Sequence, residues 1–153
     1  MAFKVRFEEA AFSGASVLCG SDQIVFLHGG TLARHDLKRN KQIWSVELID
    51  QPTITRQVEE TLKAYHATQQ KLEDAHPDAD PIKIPSPDKL TKLAEREAAA
   101  ALELRVVGQN IWVGSPGKLV QHDWQTGLPG KTIATRGSFR GMVPRGEELL
   151  MLE

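Results

Sequence analysis

Two stretches decide how this chain is read: GGTLARHDLKRNKQIW at residues 29–44 and SPGKLVQHDWQTGLPGK at residues 115–131. Both carry Gly-x-Leu-x-x-His-Asp. Aligned on Leu32 and Leu119, 87 residues apart, they match beyond the motif: Ile24 meets Ile111, Phe26 meets Val113, Gly30 meets Gly117, His35 meets His122 and Asp36 meets Asp123. The segments are rich in β-branched and aromatic residues and are broken every few positions by turn residues, which is a strand pattern. Each unit parses alike. QIVFLH or NIWVGS is a strand, GGT or PGK a turn, TLARHD or KLVQHD the next strand, and QIWSVEL or KTIATR the last. Asn40 and Gly127 share a slot in the second turn, and both residue types tolerate positive φ. Asp36 and Asp123 precede that turn, where a carboxylate can accept turn N–H bonds.

A third, partial copy follows. RVVGQNIWV (105–113) resembles VPRGEELLM (143–151), so that Gly108 meets Gly146 and Ile111 meets Leu149 at an offset of 38. The natural period is therefore near 38, and an insertion of roughly 45 to 50 residues sits inside the first, longer interval. Short strands repeating with a period of about 40 are the mark of propeller blades.

At these residues the chain resembles the quinoprotein-like, pyrroloquinoline-quinone-type β-propellers, whose repeat reads Gly-x-Leu-x-x-x-Asp-x-x-x-Gly-Lys-x-x-Trp. Gly30, Leu32, Asp36, Lys41 and Trp44 match, with Asn40 in the second glycine position. The second copy keeps Gly117, Leu119, Asp123, Thr126 and Gly127, and departs at the tryptophan slot, where Lys131 stands. The resemblance implies a mainly β fold: a partial β-propeller of about two to three four-stranded antiparallel blades. It places Trp44 between neighbouring blades. Residues 1–153 are read as one propeller-blade segment with repeats at 15–48, 102–135 and, in part, 139–153. FKVRF at residues 3–7 alternates like the last strand of a preceding blade.

Between the repeats the period changes. TRQVEETLKAYHATQQKLEDAH spaces Val58, Leu62, Tyr65 and Leu72 on one helical face. Thr53 or Thr55 is the expected N-cap, with Glu59 and Glu60 near the positive end. Prolines 77, 81, 85 and 87 break the chain. Ser86 and Pro87 then read as N-cap and first residue of a second helix, with Leu90, Leu93, Ala94, Ala98 and Ala101 on its apolar side. The two are expected to form an antiparallel helical hairpin inserted at 53–101 between two blades.

The bulk numbers narrow the function. Apolar content of 41% and charged content of 25% are ordinary for a globular domain, and a net charge of -1 points to neither nucleic acid nor an anionic membrane. No stretch approaches the roughly 20 apolar residues that span a bilayer. No signal peptide is visible, so the chain as given is expected to be cytoplasmic. Cys19 is the one cysteine. It cannot form an intramolecular disulfide, and its strand setting reads as a buried, inert thiol.

No catalytic, cofactor-binding or metal residue is assigned. Adjacent residues on a strand point to opposite faces, so His35 and Asp36, or His122 and Asp123, are poorly placed to pair as acid and base. Their recurrence once per unit marks a repeated fold. His76, Asp78 and Asp80 in HPDADP lack the glycine of a calcium loop and read as solvated. Lys131, Arg136, Arg140 and Arg145 are followed at once by Glu147 and Glu148 and read as a solvated edge. Trp44 and Trp112 are placed in the core, and Trp124, in a turn, toward solvent. No dinucleotide fingerprint, Walker loop, nucleophile elbow or zinc-protease motif is present.

The expected function is a non-catalytic scaffold or protein-binding module, part of a larger propeller or of a ring-forming oligomer. It would meet a protein partner, or itself, through open blade edges and the helical hairpin. The competing readings are a fragment of a quinone-dependent dehydrogenase and a self-assembling structural unit.

Overall fold

The computed structural model describes residues 14–136, 141–145 and 148–152. FKVRF, Arg140, Gly146 and Glu147 lie outside the described residues. The chain is mainly β, with two four-stranded antiparallel sheets, a two-stranded hairpin and two helices. Sheet 1 runs in sequence order through β1 (Gly14–Cys19), β2 (Gln23–His28), β3 (Thr31–Asp36) and β4 (Lys41–Glu47). Then come helices α1 (Gln51–Ala75) and α2 (Pro87–Ala100). Sheet 2 contains β5 (Glu103–Val107), β6 (Asn110–Ser115), β7 (Lys118–His122) and β8 (Pro129–Ala134). β9 (Gly141–Arg145) and β10 (Glu148–Leu152) pair with each other as sheet 3.

The repeat read in the sequence extends to the backbone register. In sheet 2, Ile111 pairs with His122 and Leu119 with Ile133. Shifted by 87 these become Ile24 with His35 and Leu32 with Val46, the pairs of sheet 1. Each sheet has a register slip just before its histidine, between Arg34 and His35 in one and between Val120 and His122 in the other. Even the closing bonds correspond: Leu48 N–H donates to Gly30 O, and Thr135 N–H to Gly117 O. Asn40 has φ 49° and Gly127 φ 73°, so the shared turn slot is left-handed in both.

Alternation decides which side chains meet. Ala15, Val17, Val25, Leu27, Leu32 and Trp44 share one face of sheet 1. They pack on Leu104, Val106, Ile111 and Val113 of sheet 2 and on Trp124. The first strands of the sheets are neighbours in turn, β1 beside β5 and β5 beside β9.

The helices have a small core of their own, built from Ile54, Val58 and Leu90 with Ile49, Leu62, Ala94 and Ala98. Gln51 Nε2 donates to Glu95 Oε1 while Val58 meets Leu90, so the helices run antiparallel. Two details differ from the sequence reading. α1 starts earlier, with Asp50 as N-cap and Pro52 in its first turn; a proline costs nothing there because the N–H it lacks has no intrahelical partner. Thr53 donates its hydroxyl to the Asp50 carboxylate instead of capping. Leu93 on α2 and Ala101 at its C-cap are exposed, because the contact with α1 follows Leu90, Ala94 and Ala98 at four-residue steps; Ala99 is buried as well. Ser86 is the N-cap of α2 and Pro87 its first residue.

Candidate functional site

The most specific chemistry joins sheets 1 and 2. Leu32 and Arg34 lie two apart on β3 and so share a face; that face is apolar, and the Arg34 side chain enters the interior, only 8% exposed. Its partners account for the burial. Nε donates to Gln23 Oε1 at 3.1 Å and Nη1 to the Trp124 carbonyl at 2.8 Å. The guanidinium also lies 4.0 Å from the centre of the Trp124 ring, a cation–π contact. Trp44 Nε1 donates to the same carbonyl at 2.9 Å. Burial pushes the Arg34 pKa down from its ordinary value, with Cys19 and Asp36 opposing the shift.

Gly127 completes this joint. Its positive φ suits glycine, and a Cβ there would fall inside the Trp44 indole. Trp44 thus spans from the outermost strand of sheet 1 to the β7–β8 turn of sheet 2. Trp124 is buried, and Trp112 is half-buried on the opposite face of sheet 2, which reverses the placement read from the sequence. The reason is the turn: backbone bonds from Asp123 N–H to Leu128 O and from Gly127 N–H to Asp123 O fold Trp124 back under Arg34. Leu37 is the counterpart of Trp124 in the first repeat, so a large apolar residue after the aspartate in both copies was the available signal.

The two His-Asp pairs sit at these turns. Asp36 accepts from Arg39 N–H at 2.9 Å, and Asp123 accepts from Gln125 N–H, Thr126 N–H and the Thr126 hydroxyl at 2.8–3.0 Å. These bonds to the ionised form hold both carboxyls below the usual range: the Arg39 N–H first for Asp36, the Thr126 hydroxyl first for Asp123. His122 is buried, and its Nδ1 lies 2.8 Å from Gly127 O. A carbonyl only accepts, so Nδ1 carries the proton and donates. Burial pushes the His122 pKa down against that bond. His35 Nε2 is 3.3 Å from Asn40 Oδ1.

A cleft of about 550 Å³ opens between β4, the base of the helical hairpin and the face of sheet 2. Its wall is largely apolar, including Val46, Leu48, Ile54, Val113 and Val120, and Lys118 and His122 are among its polar groups. This lining suits an apolar group with one polar anchor. The other sequence candidates lie apart from it. His76, Asp78 and Asp80 are exposed in the α1–α2 connection, and Lys131, Arg136 and Arg145 are exposed around sheets 2 and 3. Among the described residues no three His, Cys, Asp or Glu side chains gather as metal ligands, and no helix is long and apolar enough to cross a membrane. Cys19 is half-buried on the inner face of sheet 1, and burial pushes its thiol pKa up. No family model matches the sequence, and neither a curated protein nor a solved structure matches the chain.

Proposed function

We propose that this chain is a non-catalytic β-propeller segment that serves as a scaffold within a larger propeller and presents its helical hairpin to a protein partner. The observation that carries the reading is the succession of first strands, β1 beside β5 beside β9. Blades radiating from an axis bring their innermost strands together in this way, while the strands of one blade follow in sequence order outward. The Trp44 contact to the next sheet supports the same geometry, since it ties an outer strand to the turn of its neighbour.

The hairpin suits display. Its own core is separate from that of the sheets and lies near its base. Along α1 and α2 runs an open groove containing Val58, Tyr65, Leu90, Leu93 and Ala94, with Leu93 51% exposed. A cryo-electron microscopy or crystal structure of the assembled protein tests the proposal. Sheets fanned around β1, β5 and β9, with the hairpin projecting outward, are expected. Sheets stacked as a closed two-layer sandwich would overturn it.

A further inference from the structure

The interface between sheets 1 and 2 has a direction. Sheet 1 contributes the face bearing Val17 and Val25, and sheet 2 the opposite kind of face, bearing Leu104, Val106, Ile111 and Val113. The repeat register allows each face to be followed through the other sheets. In sheet 1 the counterparts of Val106, Ile111 and Val113 are Leu18, Ile24 and Phe26. Leu18 and Ile24 pair directly across β1 and β2, and Leu18 is 61% exposed. On this face of sheet 1 Ile24 and Phe26 are half-buried, Ala33 opposite Phe26 is buried and Ser16 stands in the place of Leu104, so the counterpart of the face that sheet 2 buries is open at Leu18. In sheet 3 the counterparts of Val17 and Val25 are Val143 and Leu150. These also pair directly across their strands, and are 48% and 43% exposed. Sheet 3 carries, uncovered, the face that sheet 1 buries.

Among the described residues, one chain thus holds both halves of an interface it has already made once, each with exposed apolar side chains: Leu18 on one and Val143 and Leu150 on the other. We infer that the partner for these faces is a second copy of this chain: the Val143–Leu150 face of one copy packs on the Leu18–Ile24–Phe26 face of the next. The inference rests on the propeller reading and names what continues it. Such a head-to-tail contact closes into a ring when the rotation per copy allows. Two copies would bring together twice the three sheets of one chain, within the about four to eight blades that close a propeller.

A mixing experiment tests this on the 153-residue chain, with mass read by light scattering across a concentration range. Leu18→Arg spoils one face and Leu150→Arg the other. The wild type is expected to form a discrete assembly and each variant alone to be monomeric, with unchanged far-ultraviolet circular dichroism. An equimolar mixture of the variants is expected to regain a dimer, because it contains one intact copy of each face. If an arginine variant does not fold, Leu18→Gln and Leu150→Gln take its place. A wild type monomeric at every concentration overturns the inference, the face then being covered within the chain or by another protein. An assembly indifferent to both substitutions, or a mixture that stays monomeric, overturns it too, and leaves the propeller reading standing. Sheets that do not fan around a common axis overturn the propeller reading itself, whatever the mixing result.

Discussion

Arg34 is the residue whose environment is least forgiving. A buried guanidinium is tolerated only where its donors are matched, and Gln23, the Trp124 carbonyl and the Trp124 ring supply the match. Arg34→Ala leaves the Trp124 carbonyl with the Trp44 indole N–H and opens a void beside the ring. A loss of about 1–3 kcal/mol is expected in urea unfolding. Trp44→Ala removes both the hydrogen bond and one of the two indoles of the joint, so about 3–5 kcal/mol is expected from the same measurement. Gly127→Ala attacks the joint from the other side. It combines a positive φ with a Cβ placed inside the Trp44 indole, and each such conflict costs on the order of 1–3 kcal/mol.

The pH dependence also belongs to single residues. His122 has a folded pKa below its ordinary value, so the unfolded chain binds more protons than the folded one as pH falls past about 6.5. The stability gained from keeping His122 neutral is complete above that pH and is lost as pH falls toward the folded pKa. Asp36 and Asp123 act in the same direction lower down. Their depressed pKa values add stability above about 3.9, lost as pH falls through the folded values. Thermal melts at stepped pH are expected to show a first decline below about 6.5 that His122→Gln removes. A decline unchanged by that substitution would assign it to another group.

At the scale of elements, the helical hairpin and the sheets are separate packing units. Ile54, Val58 and Leu90 form one cluster; Leu32, Trp44, Leu104 and Ile111 belong to the other. Leu90→Ala, with a core cost of about 2–5 kcal/mol at its own site, is therefore expected to act locally. Amide hydrogen exchange would read it as lost protection in α1 and α2, with β2, β3, β6 and β7 unchanged. Equal loss across the sheets would mean that the hairpin holds them together. The Ile49 side chain is where such coupling would pass. It joins the helix cluster, and it also packs so closely on Gly30 that a Cβ there would overlap it.

At the scale of the molecule, stability and assembly become one quantity if copies cover each other's sheet faces. Burial of apolar surface contributes about 25 cal/mol per Å², and Leu18, Val143 and Leu150 present such surface in the isolated chain. Association of folded chains then draws the equilibrium away from the unfolded state by mass action. The melting temperature is expected to rise as protein concentration rises, and to lose that dependence in Leu18→Arg. Calorimetry over a wide concentration range reads both.

Local pattern by itself determined much of this protein. Alternation and turn chemistry set the strands, and the 87-residue correspondence extends to pair register and the left-handed slot at Asn40 and Gly127. The changed period and the prolines set two helices, and Ser86-Pro87 set where the second begins. These are near-neighbour effects, which a sequence states directly. What only the tertiary structure decided lies across long separations. The capture of the Trp124 carbonyl by Trp44 and Arg34 spans 80 and 90 residues. The inward turn of Trp124, the exposure of Leu93 and the exposure of Leu18, Val143 and Leu150 are of the same kind. Strand periodicity tells which residues share a face; it carries no information about which face another sheet will cover, because that depends on how whole sheets stack.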